Sequence, residues 1–212
     1  LLLQHPESRA RVARFQQWRP HILTDFHEMG TDSSYFFQPG VPSRQNPMTS
    51  KTNFTMTAKI AEYHAKALDD IGSLYYSKED FDDFYYGKGS TYPDIHGSVG
   101  ILFEQASARG NYADSDYGLL TFPFAVRNRL TTSLSTIKAA QHNQASLKKM
   151  QRDFKSTAIK QAKSDRRKAI VVATADDYRR QEMADLLSGH QIEFYPLAKE
   201  LEIKGQIFEP QN

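Results

Sequence analysis

Apolar residues in this chain fall into short runs and helical stripes, separated by stretches rich in glycine and proline. In "HPESRARVARFQQWRP", Pro6 and Glu7 suit a first helical turn, and Val12, Phe15 and Trp18 share a face before Pro20 stops the helix. "HILTDFH" follows as a strand whose side chains alternate, so that Asp25 and His27 point one way and Glu28 the other. Tyr35 to Thr52 holds three prolines among polar spacers and predicts a long irregular loop, a kind usually functional or disordered in compact domains. "NFTMTAKIAEYHAKALDDIG" carries Met56, Ile60, Tyr63 and Ala67 at helical spacing, with Gly72 placed as a C-cap. Gly87, Gly89, Gly97 and Gly100 break any helix in the next stretch, and "VGILFE" reads as a buried strand that delivers Glu104 to its end. From Phe124 to about Lys163 the pattern is helical and increasingly polar. "KAIVVATADDYRRQEMADLLSGHQIEFYPL" then reads as strand, helix, Gly189, strand. The predicted fold class is therefore α/β: a mixed sheet, then a small strand-helix-strand unit. The domain boundary is expected between Gln161 and Lys168, with one domain over 1–160 and a second over 168–212.

A length of 212 residues is ample for a real core. The net charge of +2 is spread along the chain, which argues against a nucleic-acid or anionic-membrane partner. The clusters "RARVAR" and "KSDRRK" read as solvated helix faces or linkers. No apolar run approaches the ~18 residues of a membrane span. Cysteine is absent, so disulfides, thiolate metal sites and cysteine nucleophiles are excluded. "LLLQHPES" has neither the basic region nor the cleavage site of a signal peptide, and both ends read as cut from a longer protein.

The candidate chemistry lies at strand ends, where a rigid sheet aims functional groups. A single histidine there is more often structural than a ligand. His27, however, has Asp25 on its own face, where a carboxylate can accept the second imidazole N–H and fix the tautomer; a turn partner for the following loop is an equal reading of Asp25. Glu28, on the other face, is expected in a salt bridge. Glu104 follows an apolar run, where a carboxylate is costly to bury unless paired or functional, and burial would raise its pKa towards general-base range. An ion pair with Arg109 is its competing reading. Arg44 can clamp a carboxylate with two parallel hydrogen bonds, although a solvated loop arginine is the commoner outcome. Tyr85, Tyr86 and Tyr92 are packing residues or, in their Gly-rich loop, mobile substrate contacts. His-Glu-x-x-His is absent around His27, since Thr31 stands where the second histidine would be.

Together, "DFHEMG", "FFQPGVPSRQNP" and "GILFEQASARG" resemble the M14 zinc carboxypeptidases, and more closely their bacterial exported branch. The resemblance covers Leu1 to roughly Met150 and implies a zinc-carboxypeptidase-like fold, present in part. It implies one Zn2+ ion, a peptide substrate and a secreted or periplasmic location. His27 matches the third zinc ligand, Glu104 the catalytic glutamate and Tyr86 the mobile substrate-capping tyrosine. Arg44 would then be a substrate contact, and Asp25 would orient His27 from behind. The family's first two ligands come from an upstream His-x-x-Glu, and its substrate's carboxylate is bound by an Asn-Arg motif; neither stands before His27. The chain alone is accordingly expected to be inactive, while the intact protein releases C-terminal residues from peptides. An amidase of the same architecture, or a binding domain that kept the fold and lost the metal, are the alternatives. The tail resembles the opening of a glutamine-amidotransferase-like α/β domain.

Overall fold

The computed structural model describes residues 2–210. It divides into two compact units, Pro20–Gln161 and a second made of Leu2–Arg19 with the segment from Ala162 onward. The first helix, α1 (Pro6–Trp18), thus groups with the tail rather than with the 1–160 domain expected from sequence.

In the first unit, β1 (Ile22–Met29) is followed by β2 (Tyr35–Phe37), α2 (Lys51–Asp69) and β3 (Val99–Ala106). A hairpin of β4 (Tyr112–Ser115) and β5 (Gly118–Thr121) then leads into α3 (Phe122–His142) and α4 (Gln144–Ser164). The main sheet is mixed, with order β1-β3-β2: β1 runs parallel to β3 and β2 antiparallel to it. β3 is buried along its whole length, as a central strand covered on both faces must be. β1 forms one edge.

Strand alternation sorts the sheet into two faces. Phe26, Tyr35, Phe37, Val99, Ile101 and Phe103 belong to the core, with Met56, Ile60 and Leu68 of α2, Ala139 of α3, and Leu147 and Met150 of α4. Phe26 stacks on Phe103 with ring centroids 4.7 Å apart. Fully burying one such side chain contributes about 1.5–3 kcal/mol. The opposite face presents Asp25, His27, Glu104 and Phe36, and the segment after α2 crosses it. There Phe36 packs on Phe81 and Tyr76. The crossing chain runs so close to β3 that a Cβ on Gly100 would lie 1.5 Å from the Ser90 carbonyl oxygen. Only glycine permits that approach.

Several expectations are corrected. The stretch from Tyr35 to Thr52 is not wholly irregular, because three consecutive aromatic residues add β2 to the sheet, each fully buried. A run that short leaves no periodic signature. Trp18 is off the buried face of α1, 72 % exposed beneath the Arg14 guanidinium, and Val12, Phe15 and Gln16 are the buried residues. On α2 the buried line turns towards His64 and Leu68 rather than through Tyr63 and Ala67. The single helix expected from Phe124 to Lys163 is interrupted at Asn143, whose side-chain amide donates to the Ala139 carbonyl, competing with the backbone pattern.

In the second unit, α5 (Asp177–Gly189) forms with Asp176 as N-cap, accepting from the Arg179 N–H. The strands expected on either side of it do not. "AIVVA" and "IEFY" are non-strand, and Ile170 is 86 % exposed. A parallel strand is stable only inside a covered sheet, and these two runs pair neither with each other nor with the main sheet. The unit's strands are instead β6 (Leu201–Ile203) and β7 (Gln206–Phe208), a hairpin whose turn residues Lys204 and Gly205 both have positive φ. Among the described residues, no helix is long and apolar enough to cross a membrane.

Candidate active site

Register brings the two principal candidates together. In the parallel β1–β3 pair His27 stands opposite Glu104, both near the C-terminal ends of their strands and both away from the core. Phe36 of β2 flanks Glu104 on its other side. Two residues back on β1, Asp25 places Oδ2 3.2 Å from His27 Nε2. The imidazole is half exposed, whereas Asp25 is mostly covered. The carboxylate therefore holds one ring nitrogen from the protein side, and among the described residues no hydrogen bond engages Nδ1.

Glu104 is buried. Burial raises its pKa above the usual 4.5, and the charge of Asp25 adds to the rise, while His27, Arg129 and Lys88 oppose it. None of these neighbours is Arg109, whose side chain instead reaches Thr31. Glu28, on the opposite face from His27, pairs with Arg129 at 3.1 Å and accepts from Ser107 Oγ at 2.8 Å. Arg129 also donates to the His27 carbonyl at 3.0 Å, tying α3 to β1 beside the site.

Arg44 and Tyr86 are not brought to this group. Arg44 lies in a 3-10 turn (Pro42–Arg44) and donates to the Asp80 carbonyl at 2.9 Å. Tyr86 is partly exposed, with its hydroxyl 3.9 Å from Met48 Sδ. Among the described residues, neither makes a hydrogen bond or ion pair with His27 or Glu104. Lys88, which the sequence reading passed over, supplies a nearer positive charge. It is paired with Asp82, whose carboxyl burial would raise but which the Lys88 and Phe84 N–H hydrogen bonds hold below the usual range. Tyr76 also senses Glu104, and its hydroxyl donates to Asp80 at 3.1 Å. Neither residue stands in an apolar pattern that would mark it in sequence.

The donor set does not fit a complete metal centre. Among the described residues, no group of three or more His, Asp or Glu side chains converges as metal ligands. A catalytic zinc keeps three protein ligands and an open position. The spacing His-x-x-Glu does occur once, at His190 and Glu193, but in the second unit and outside any such group. What the arrangement can do unaided is hold an oriented imidazole beside a carboxyl of raised proton affinity. No protein-family model matches the chain, and no curated protein or solved structure does either.

Proposed function

We propose that His27, Asp25 and Glu104 form part of a peptidase site of the zinc-carboxypeptidase type, which releases C-terminal residues from peptides in an exported protein. The observation that supports this is the register of β1 and β3: it sets an imidazole, oriented by a carboxylate, directly beside a buried glutamate. Glu104 is the base, because burial raises its affinity for a proton and it stands beside His27 on the same face of the sheet. His27 is one ligand, with Nδ1 as its donor. The described residues offer no second or third ligand, so the proposal places these in a longer polypeptide. Tyr86 is the substrate-capping residue on the crossing segment, and a substrate role for Arg44 requires it to leave the Asp80 carbonyl.

The test is metal analysis and C-terminal residue release on a polypeptide that supplies the remaining ligands together with this chain, and on two variants of it. His27→Ala should lose metal and activity together. Glu104→Gln should keep the metal and lose at least about a hundredfold in turnover, the usual contribution of a positioned acid or base. The 212-residue chain alone should release nothing. Full turnover in Glu104→Gln would refute the base.

A further inference from the structure

Behind the crossing segment lie two further carboxylates, Asp83 and Asp94, each almost wholly buried. They belong to different parts of the chain. Asp94 sits in a 3-10 turn (Tyr92–His96) and is fixed from the sheet side. Its Oδ1 accepts from Asn53 Nδ2 of α2 at 2.9 Å and from the Gly100 N–H of β3 at 2.9 Å. Its Oδ2 is buried and has no hydrogen-bond partner among the described residues. Asp83 accepts from Thr91 Oγ1 at 2.9 Å, and its backbone is bonded to Arg44 and Asn46. Residues 84–90 therefore form a loop whose two ends are clipped together by the Thr91–Asp83 hydrogen bond. That loop carries Phe84, Tyr85 and Tyr86, all exposed.

We propose that Asp83 and Asp94 act as a proton-operated clasp, holding the strap 84–90 against the sheet while Asp94 carries a proton and loosening it once both carboxyls are ionised. A buried carboxylate oxygen that no protein group donates to is costly when charged, whereas a carboxylic acid there is much less so. Burial, and then the charge of Asp83, push the Asp94 pKa well above 3.8, and burial likewise raises Asp83. The other charges on Asp83 are Asp82, which adds to the rise, and Lys88, which opposes it; the Thr91 hydrogen bond also lowers it. When Asp94 gives its proton to solvent, two negative charges share one desolvated space. Asp94 is anchored to α2 and β3, so Asp83 and Thr91 yield, and the strap opens at its clipped ends. In sign, the folded state keeps a proton that the unfolded chain has already lost. The clasp is fully closed at low pH and weakens as pH rises through the raised pKa of Asp94.

The inference is independent of the peptidase reading and is tested on the chain as it stands. Peptide-resolved hydrogen exchange, expressed as protection relative to intrinsic rates, should be followed from about pH 5 to about pH 8. Two amides report on the strap: Lys88 N–H within it, bonded to the Tyr85 carbonyl, and Tyr92 N–H just beyond it, bonded to the Lys88 carbonyl. Their protection should fall about tenfold or more while that of β3 holds, because local opening is separable from global unfolding. Asp94→Asn mimics the protonated acid and should keep the strap protected throughout. Should that variant not fold, Asp83→Asn removes the same charge pair and is read the same way. Protection that is flat with pH in the parent chain, or that falls equally in the substituted one, overturns the clasp.

Discussion

His64 lies in the centre of the first unit, fully buried, with Nδ1 2.7 Å from Ser135 Oγ and its ring edge-on to Phe37 and Phe103. Burial drives its pKa from 6.5 down to about 3. Between those values the unfolded chain binds a proton that the folded one refuses. Stability therefore rises with pH across that window and is lost as pH falls through it, by up to about 1.4 kcal/mol per pH unit. Urea titrations at intervals across this range should show the slope. In His64→Leu the slope should shrink, with Ser135 Oγ keeping only its hydrogen bond to the Thr132 carbonyl. Asp94 imposes the opposite gradient, since its folded pKa is raised. Asp94→Asn should therefore gain stability relative to the parent chain as pH increases.

At the scale of elements, what could be read from the sequence was what repeats. Strand alternation in "HILTDFH" put Asp25 and His27 on one face, and the apolar run before Glu104 marked the central strand. The rest depends on partners distant in sequence. β2 is three residues whose ladder is supplied by β3, and "AIVVA" has strand composition but no neighbouring strand to pair with. That His27, Asp25 and Glu104 share one face of the sheet was legible, because their positions follow from strand period. Lys88 and Asp83 were not, because they reach the sheet on a segment with no period at all. What lets that segment lie so close to β3 is steric, and Gly100 tests it. Gly100→Ala must displace the Ser90 backbone from β3. It should cost about 1–3 kcal/mol in chemical denaturation, the usual penalty for overpacking. It should also raise exchange at Lys88 and Tyr92 at every pH, unlike the pH-dependent opening that the clasp predicts.

Across the whole molecule, helices and sheet are unequally finished. α2 and the core face of the sheet are well covered, yet α3 leaves Val126, Leu130, Leu134 and Ile137 exposed in a stripe along one side. In the second unit, Ile170, Val172 and Tyr195 are exposed as well. Single exposed apolar residues are ordinary, but a contiguous stripe on a helix marks a surface that favours contact. The formal charge of +2 gives little electrostatic repulsion against it.

The position of β1 at the rim of the sheet sharpens this point. Eight residues of backbone there pair with β3 along one side, and among the described residues no strand pairs along the other. Such a rim reads no side chains; it recruits any extended backbone that drifts alongside. The chain should therefore be self-adhesive in proportion to its concentration. Its weight-average sedimentation coefficient should climb on going from dilute to concentrated solution, and Leu23→Lys, a charge set on the rim, should flatten that climb. A coefficient independent of concentration in the parent chain would mean that the rim is already sealed. For anyone concentrating this protein, colloidal behaviour will be governed less by its charge than by one unzipped margin of hydrogen bonds.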